Sequence, residues 1–281
     1  MQVRVNGTRL WFDVEGPALV ADGNDFRRRP TVVLVHGGPG SFDHSYFKPD
    51  FGRLAEVSQV VYLDLRGHGR SDWGRTQGWS LELCADDIRH FCDLVGIGAP
   101  VVLGHSLGGP IALLYGARHP GHAAGLGILS GFARWDPSRL VEAFRRVAGD
   151  EVADLARRSY AGEEVTDDEW ARVYASFGPH HPDEERRARS PRNADLNAHG
   201  MELVRRVDIV DQLDRVRSPT LVVAGELDPV TPVSAAEEIV AALPVGTASL
   251  EVVSGGGHFT WLDAPERFWP IVTEFVRSFP G

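Results

Sequence analysis

The chain has 281 residues with 43% hydrophobic and 24% charged content, which suits one large α/β domain, or one domain with an insertion. Its net charge of −10 argues against nucleic acid or an anionic membrane as main partner and leaves a small-molecule ligand as the expectation. No apolar run approaches the ~20 residues needed to span a bilayer, no secretory h-region is visible in "MQVRVNGTRLWF", and the protein is expected in the cytoplasm.

In chain order, "QVRV" and "TRLWFDVEG" flank Asn6-Gly7, a two-residue turn signal, and predict a hairpin. Residues 21–30, "ADGNDFRRRP", read as a polar loop. From "TVVLVHG" onward, strands and helices alternate. A helix is expected from Phe47 to Ala55, a strand at "QVVYLDLRG" and a helix from Leu81 to Val95. A strand at "APVVLGHS", a helix from Gly109 to Arg118 and a strand at "GLGILSG" follow. The strand cores are continuous apolar runs, the mark of strands covered on both faces in a mostly parallel sheet.

The alternation breaks after Ser130. Residues 131–217 are helix-like and rich in Arg, Asp and Glu; "RWDPSRLVEAFRRVAGDEVADLARRSYAG" reads as two amphipathic helices and "GPHHPDEERRARSPRN" as a polar break. Strand–helix alternation resumes at "PTLVVAGELD", continues through the helix "SAAEEIVAAL" and the strand "SLEVVSGGGH", and closes with a helix from Pro265 to Ser278. The expected organisation is a core of residues 1–130 and 218–281, with a helical cap inserted at 131–217. Cys84 and Cys92 lie on one expected helix, ~12 Å apart along its axis at ~1.5 Å per residue, too far for a disulfide. Free thiols are expected.

Three stretches carry chemistry. Gly104-His105-Ser106-Leu107-Gly108 sits between a strand and a helix. A turn that sharp forces its central residue into strained backbone and projects the side chain away from the sheet, and the helix N-terminus adds unpaired N–H groups. Ser106 is therefore the candidate nucleophile. A serine needs a base, and the base an orienting acid. His258 follows three glycines at a strand end and is the candidate base. Asp228 ends another strand and is the candidate acid, with Asp136 the next choice. Among the other histidines, His36 and His105 lie inside motifs and are expected to support them. The third stretch, His36-Gly37-Gly38-Pro39-Gly40, is a Gly-rich loop after a strand. It lacks both G-K-[ST] and G-x-G-x-x-G, so a nucleotide phosphate is not its expected occupant.

Taken together, "HGGPG", "DLRGHGRSD", "GHSLGG", "GELDPVTP" and "GGGHF" resemble the α/β-hydrolase fold over the whole chain except the insertion. Serine rather than aspartate at 106 separates the chain from the haloalkane dehalogenase and epoxide hydrolase branches. The resemblance implies an eight-stranded, mostly parallel sheet with helices on both faces and an inserted helical cap. It also implies a Ser106-Asp228-His258 triad with no metal or organic cofactor, and an oxyanion hole made by the N–H groups of Gly38 and Leu107. "HGGPG" resembles the proline iminopeptidase branch, from which the chain departs: Leu107 replaces the usual Trp after the serine, and Pro229 follows Asp228. Glu163, Glu164, Asp195 and Glu202 are the acids of the insertion that could hold a substrate's amino terminus, and nothing in the sequence singles one out. The resemblance implies an esterase or lactonase acting on a small, fairly apolar acyl substrate. An aminopeptidase or amidase is the alternative, and behind it a cofactor-free non-hydrolytic enzyme or a receptor of the same fold. Phe42, His44, Tyr46, Trp135, Tyr160, Tyr174 and Phe177 are the expected pocket wall.

Overall fold

A computed structural model describes residues 1–75, 78–182 and 184–281. Its strands are β1 (Gln2–Val5), β2 (Thr8–Glu15), β3 (Leu19–Asp22), β4 (Asp25–Arg28), β5 (Thr31–Val35), β6 (Gln59–Leu63), β7 (Val101–His105), β8 (Gly125–Leu129), β9 (Thr220–Gly225) and β10 (Ala248–Val253). Its α-helices are α1 (Lys48–Phe51), α2 (Leu81–Val95), α3 (Gly108–Arg118), α4 (Pro137–Ala161), α5 (Asp167–Ala175), α6 (Glu184–Arg189), α7 (Ala194–Val204), α8 (Val233–Ala242), α9 (Thr260–Asp263) and α10 (Pro265–Arg277).

Eight strands form one sheet in the order β1-β2-β6-β5-β7-β8-β9-β10. The β1–β2 and β2–β6 pairs are antiparallel; every pair from β6 to β10 is parallel. Apolar runs become buried strands because alternate residues serve opposite faces. Val33 and Val35 pack with Ile88 and Phe91 of α2, Ile111 and Leu114 of α3 and Ile239 of α8. Their neighbours Val32 and Leu34 pack on the other side with Phe51 of α1 and Phe268 and Val272 of α10. The helices are stopped by local chemistry. Ser80 caps α2 by accepting from the Leu83 N–H, and Gly96 ends it at φ 78°, a left-handed value that glycine adopts without Cβ strain.

Between β8 and β9 the described chain is helical: α4 to α7. Gly149, at φ 84°, breaks α4 into two stretches. Three local expectations differ. Residues 21–30 are not simply a loop, because β3 and β4 pair antiparallel around Gly23-Asn24, a two-residue turn read above as part of a polar run. The stretch after Phe47 is α1 followed by a tighter 3₁₀ turn over Gly52–Glu56. The polar break contains the short helix α6; Asp183 within it lies outside the described residues. Both cysteines are free and buried, and burial pushes the Cys92 thiol up to about 12. No described helix is long and apolar enough to cross a membrane.

Candidate active site

The C-terminal ends of five adjacent parallel strands deliver the side chains of interest. That is the edge where open α/β sheets bind ligands. β7 ends in the Ser106 turn, where Ser106 adopts φ 54° before α3 begins. A serine in the left-handed region is strained by the crowding of its Cβ, and the surrounding glycines show why the turn tolerates it. A Cβ on Gly104 would sit 2.1 Å from the Gly108 carbonyl oxygen, and one on Gly108 would sit 2.2 Å from that of Val35. The turn is packed backbone on backbone. The loop after β5 closes over it so tightly that a Cβ on Gly37 would lie 2.8 Å from the Ser106 Cβ.

Asp228, after β9, is fully buried. Its Oδ1 accepts from the Val230 and Thr231 N–H groups at 2.8 and 3.0 Å, and its Oδ2 from the Thr231 hydroxyl at 2.7 Å. The same Oδ2 lies 2.9 Å from His258 Nδ1. A carboxylate can only accept, so Nδ1 carries the proton and Nε2 is the free ring position. The His258 N–H donates to the Phe177 carbonyl, in the segment between β8 and β9, at 2.6 Å. Asp136 instead caps α4 through the Ser138 and Arg139 N–H groups. Glu226 turns to solvent and binds Ser254 and Gly255.

Three more histidines tie these loops together, all in the neutral state. Burial lowers His36, holds His68 down to about 3 and pushes His105 well below the usual imidazole range. Each therefore offers one donor and one acceptor. His36 Nδ1 donates to the Gly37 carbonyl while Nε2 accepts from the Leu65 N–H at 3.1 Å. His68 Nδ1 donates to the Arg66 carbonyl while Nε2 accepts from the Gly40 N–H at 2.8 Å. His105 Nε2 donates to the His258 carbonyl at 2.9 Å. Its Nδ1 must then accept from the Tyr46 hydroxyl at 3.0 Å, and that hydroxyl accepts from the Gly37 N–H at 2.9 Å. One buried chain of hydrogen bonds thus runs from the Gly-rich loop to the His258 backbone. Sequence alone offered Tyr46 only as pocket wall.

A cavity of about 230 Å³ opens over this floor. Gly37, Gly38, Ser106, Leu107 and His258 line its base. Neither the Gly38 nor the Leu107 N–H meets an acceptor among the described residues. Phe42, Tyr46, Trp135, Tyr160, Tyr174 and Phe177 line the walls, joined by Phe132, Met201, Val204, Val230 and Phe259. His44 does not line it. Its Nδ1 binds Asp64 at 2.8 Å and its ring lies against Trp11, because Asp64 at the end of β6 is a buried acid that needs partners. The acids considered for an amino terminus, Glu163, Glu164, Asp195 and Glu202, are absent from the lining; Asp136, the alternative triad acid, is on it.

Residues 30–265 match the alpha/beta hydrolase fold family. The chain belongs to that family. A carbamate hydrolase, RutD, named from a Caulobacter species is 26% identical over 271 residues, covering 94% of this chain and 97% of that protein. Among solved structures, an N-acyl homoserine lactone degrading enzyme is 25% identical with a TM-score of 0.72, covering 98% of this chain and 100% of its own. A proline iminopeptidase of Mycobacterium smegmatis is 24% identical with a TM-score of 0.78, covering 99% of this chain and 97% of its own; at that identity the likeness speaks for the fold.

The neutral histidines make stability pH-dependent with a definite sign. Their folded values lie below the ordinary value of ~6.5, so the folded chain binds fewer protons than the unfolded one. The stabilisation is complete above ~6.5 and declines as pH falls, by up to about 1.4 kcal/mol per pH unit for each such group. The melting temperature should therefore drop between about pH 7.5 and about pH 5.5; a flat or rising profile in differential scanning fluorimetry would contradict the neutral assignment. Tyr46→Phe should strand the Gly37 N–H and His105 Nδ1 without partners, at about 1–3 kcal/mol each. A urea midpoint unchanged from wild type would mean that the chain of bonds is not formed.

Proposed function

We propose that the protein is a serine hydrolase that opens a small carboxylic ester or lactone through an acyl-enzyme intermediate. The observation that carries this reading is Ser106, held at φ 54° on the floor of a cavity that also presents His258, itself bonded to buried Asp228. His258 Nε2 takes the Ser106 proton as Oγ attacks the carbonyl carbon. The carbonyl π-electrons move to oxygen, and the Gly38 and Leu107 N–H groups hold that oxyanion. His258 then gives the proton to the departing alkoxide, leaving Ser106 acylated and the imidazole neutral. Water, deprotonated by the same nitrogen, releases the acid and restores the serine. Asp228 keeps the ring in the required tautomer and stabilises the imidazolium.

Asp228 is the acid of choice over Asp136 because it alone of the two binds His258. Residues 131–217 act as the cap, closing aromatic side chains over the cavity and touching the base through the Phe177 carbonyl. The cavity is smaller than the ~300–1,000 Å³ common for drug-sized ligands, which favours a small acyl group.

The choice between ester and peptide substrates rests on charge. An aminopeptidase must neutralise an α-ammonium. Asp136, the one acid on the lining among the described residues, spends Oδ1 on capping α4. Glu163, in the insertion, is paired with Arg157. The lactone-degrading relative lends the lactone reading further support.

A fluorophosphonate probe should label the wild-type protein once, and Ser106→Ala should abolish the label; a label that persists on the variant would remove Ser106 from its role. With p-nitrophenyl esters, Asp228→Asn should lower kcat by about 10³–10⁴. Asp136→Asn, which keeps a good helix cap, should leave kcat within about threefold. The reverse ranking would move the acid to the end of β8.

A further inference from the structure

The charges on the cavity lining are uneven. Three arginines, Arg134, Arg139 and Arg192, face one acid, Asp136. Two of the arginines are already paired. Arg139 binds Glu238 at 3.1 Å, and Arg134 lies 3.3 Å from Asp208. Arg192 has an exposed side chain and no ion pair or hydrogen bond among the described residues.

The backbone beneath Arg192 is fixed. The next residue, Asn193, donates its N–H to the Gly40 carbonyl at 2.9 Å and its side-chain amide to the Gly67 carbonyl at 3.1 Å. Its Oδ1 caps α7 at Leu196. One turn on, Asn197 donates to the Pro39 carbonyl at 2.7 Å and to the Ser41 hydroxyl at 3.0 Å. A free guanidinium is thus mounted on a rigid base beside the Gly-rich loop. Gly40 and Gly37, which abuts Ser106, are at most about 10 Å apart along the chain.

We propose that the substrate bears a carboxylate a few carbons from the carbonyl that Ser106 attacks, and that Arg192 is the residue that selects it. The proposal rests on the ester or lactone reading above. A carboxylate matches the planar guanidinium fork, which can donate two parallel hydrogen bonds. Arg134 and Arg139 bias the same lining toward anions through their positive potential. An ammonium group at that position would meet an unpaired cation. The wall residues near Ser106 remain apolar, so the acyl chain is buried while its charged end stays at the wetter mouth, where Arg192 is exposed. The exposure also limits the effect to about tenfold, since an ion pair in contact with water is screened.

Three methyl esters of equal length separate the terms: monomethyl adipate, methyl hexanoate and methyl ω-aminohexanoate. Their kcat/KM values are read by pH-stat for wild type and for Arg192→Gln. The wild type should prefer the anionic to the cationic ester by at least about tenfold. Arg192→Gln should lower kcat/KM for monomethyl adipate by about tenfold, mostly through KM. It should leave methyl hexanoate within about twofold and weaken the fall in the adipate rate with added salt. Equal losses on the anionic and neutral esters, or no loss on either, would overturn the role of Arg192 and leave the hydrolase reading standing. Failure of the wild type to turn over any of the three would sink the ester reading, and this proposal with it.

Discussion

The contact between the Gly37 backbone and the Ser106 side chain fixes the floor of the cavity. No side chain fits between them, since a Cβ on Gly37 would fall 2.8 Å from the Ser106 Cβ. The turn after β7 and the loop after β5 therefore pack as one unit, and neither can shift without the other. Close packing of backbone on backbone leaves polar groups that water cannot reach, and each must find a partner inside. Neutral histidines meet that need because one ring supplies a donor and an acceptor. His36, His68 and His105 each receive a proton from one loop and give one to another. Protonation of His36 or His105 would turn the acceptor nitrogen into a second donor facing an N–H or O–H, so their burial in the neutral form is part of the geometry.

The same packing divides the electrostatics. At the floor, two backbone N–H groups, Gly38 and Leu107, have no acceptor among the described residues and sit beside a strained serine. A low-dielectric wall of aromatic side chains surrounds them, where fixed dipoles act on a developing negative charge more strongly than in water. The carboxylate bonded to His258, Asp228, is buried behind the ring with both its oxygens engaged. Arg134, Arg139 and Arg192 make the lining cationic, and Arg192 has no ion pair among the described residues. In the proposed mechanism the cavity stabilises negative charge at its base and attracts it at its rim.

Most of the fold is legible in the sequence because continuous apolar runs have few other uses than two-sided burial; β5 to β9 lie where "TVVLV", "VVYL", "VVLGH", "LGIL" and "TLVVAG" place them. The β3–β4 hairpin was less visible because four of its eight strand residues are charged and all but Val20 are exposed, so no alternating apolar period marks it. The stretch after Phe47 breaks early because its aromatic side chains are held by tertiary packing around Trp261 rather than by helical repeat. At the site, the strand-end positions of Ser106, Asp228 and His258 could be read from glycines and strand endings. The job of Tyr46 could not, since its partners Gly37 and His105 come from two other loops and meet only in the folded chain. Arg192 was hidden for a similar reason. In sequence it is one charge in a polar run, and only the anchoring of Asn193 and Asn197 on the Gly-rich loop brings it to the cavity.

In the proposed mechanism the loop after β5 and the turn after β7 form a ready cradle for an oxyanion. Its most direct test is a crystal structure of the protein after reaction with a small alkyl fluorophosphonate. Phosphorus is expected on Ser106 Oγ, with one phosphoryl oxygen within about 3 Å of both the Gly38 and Leu107 nitrogens and residues 36–40 unmoved from the hydrogen bonds described above. An adduct on another residue, or a phosphoryl oxygen turned away from those two amides while the loop rearranges, would contradict it.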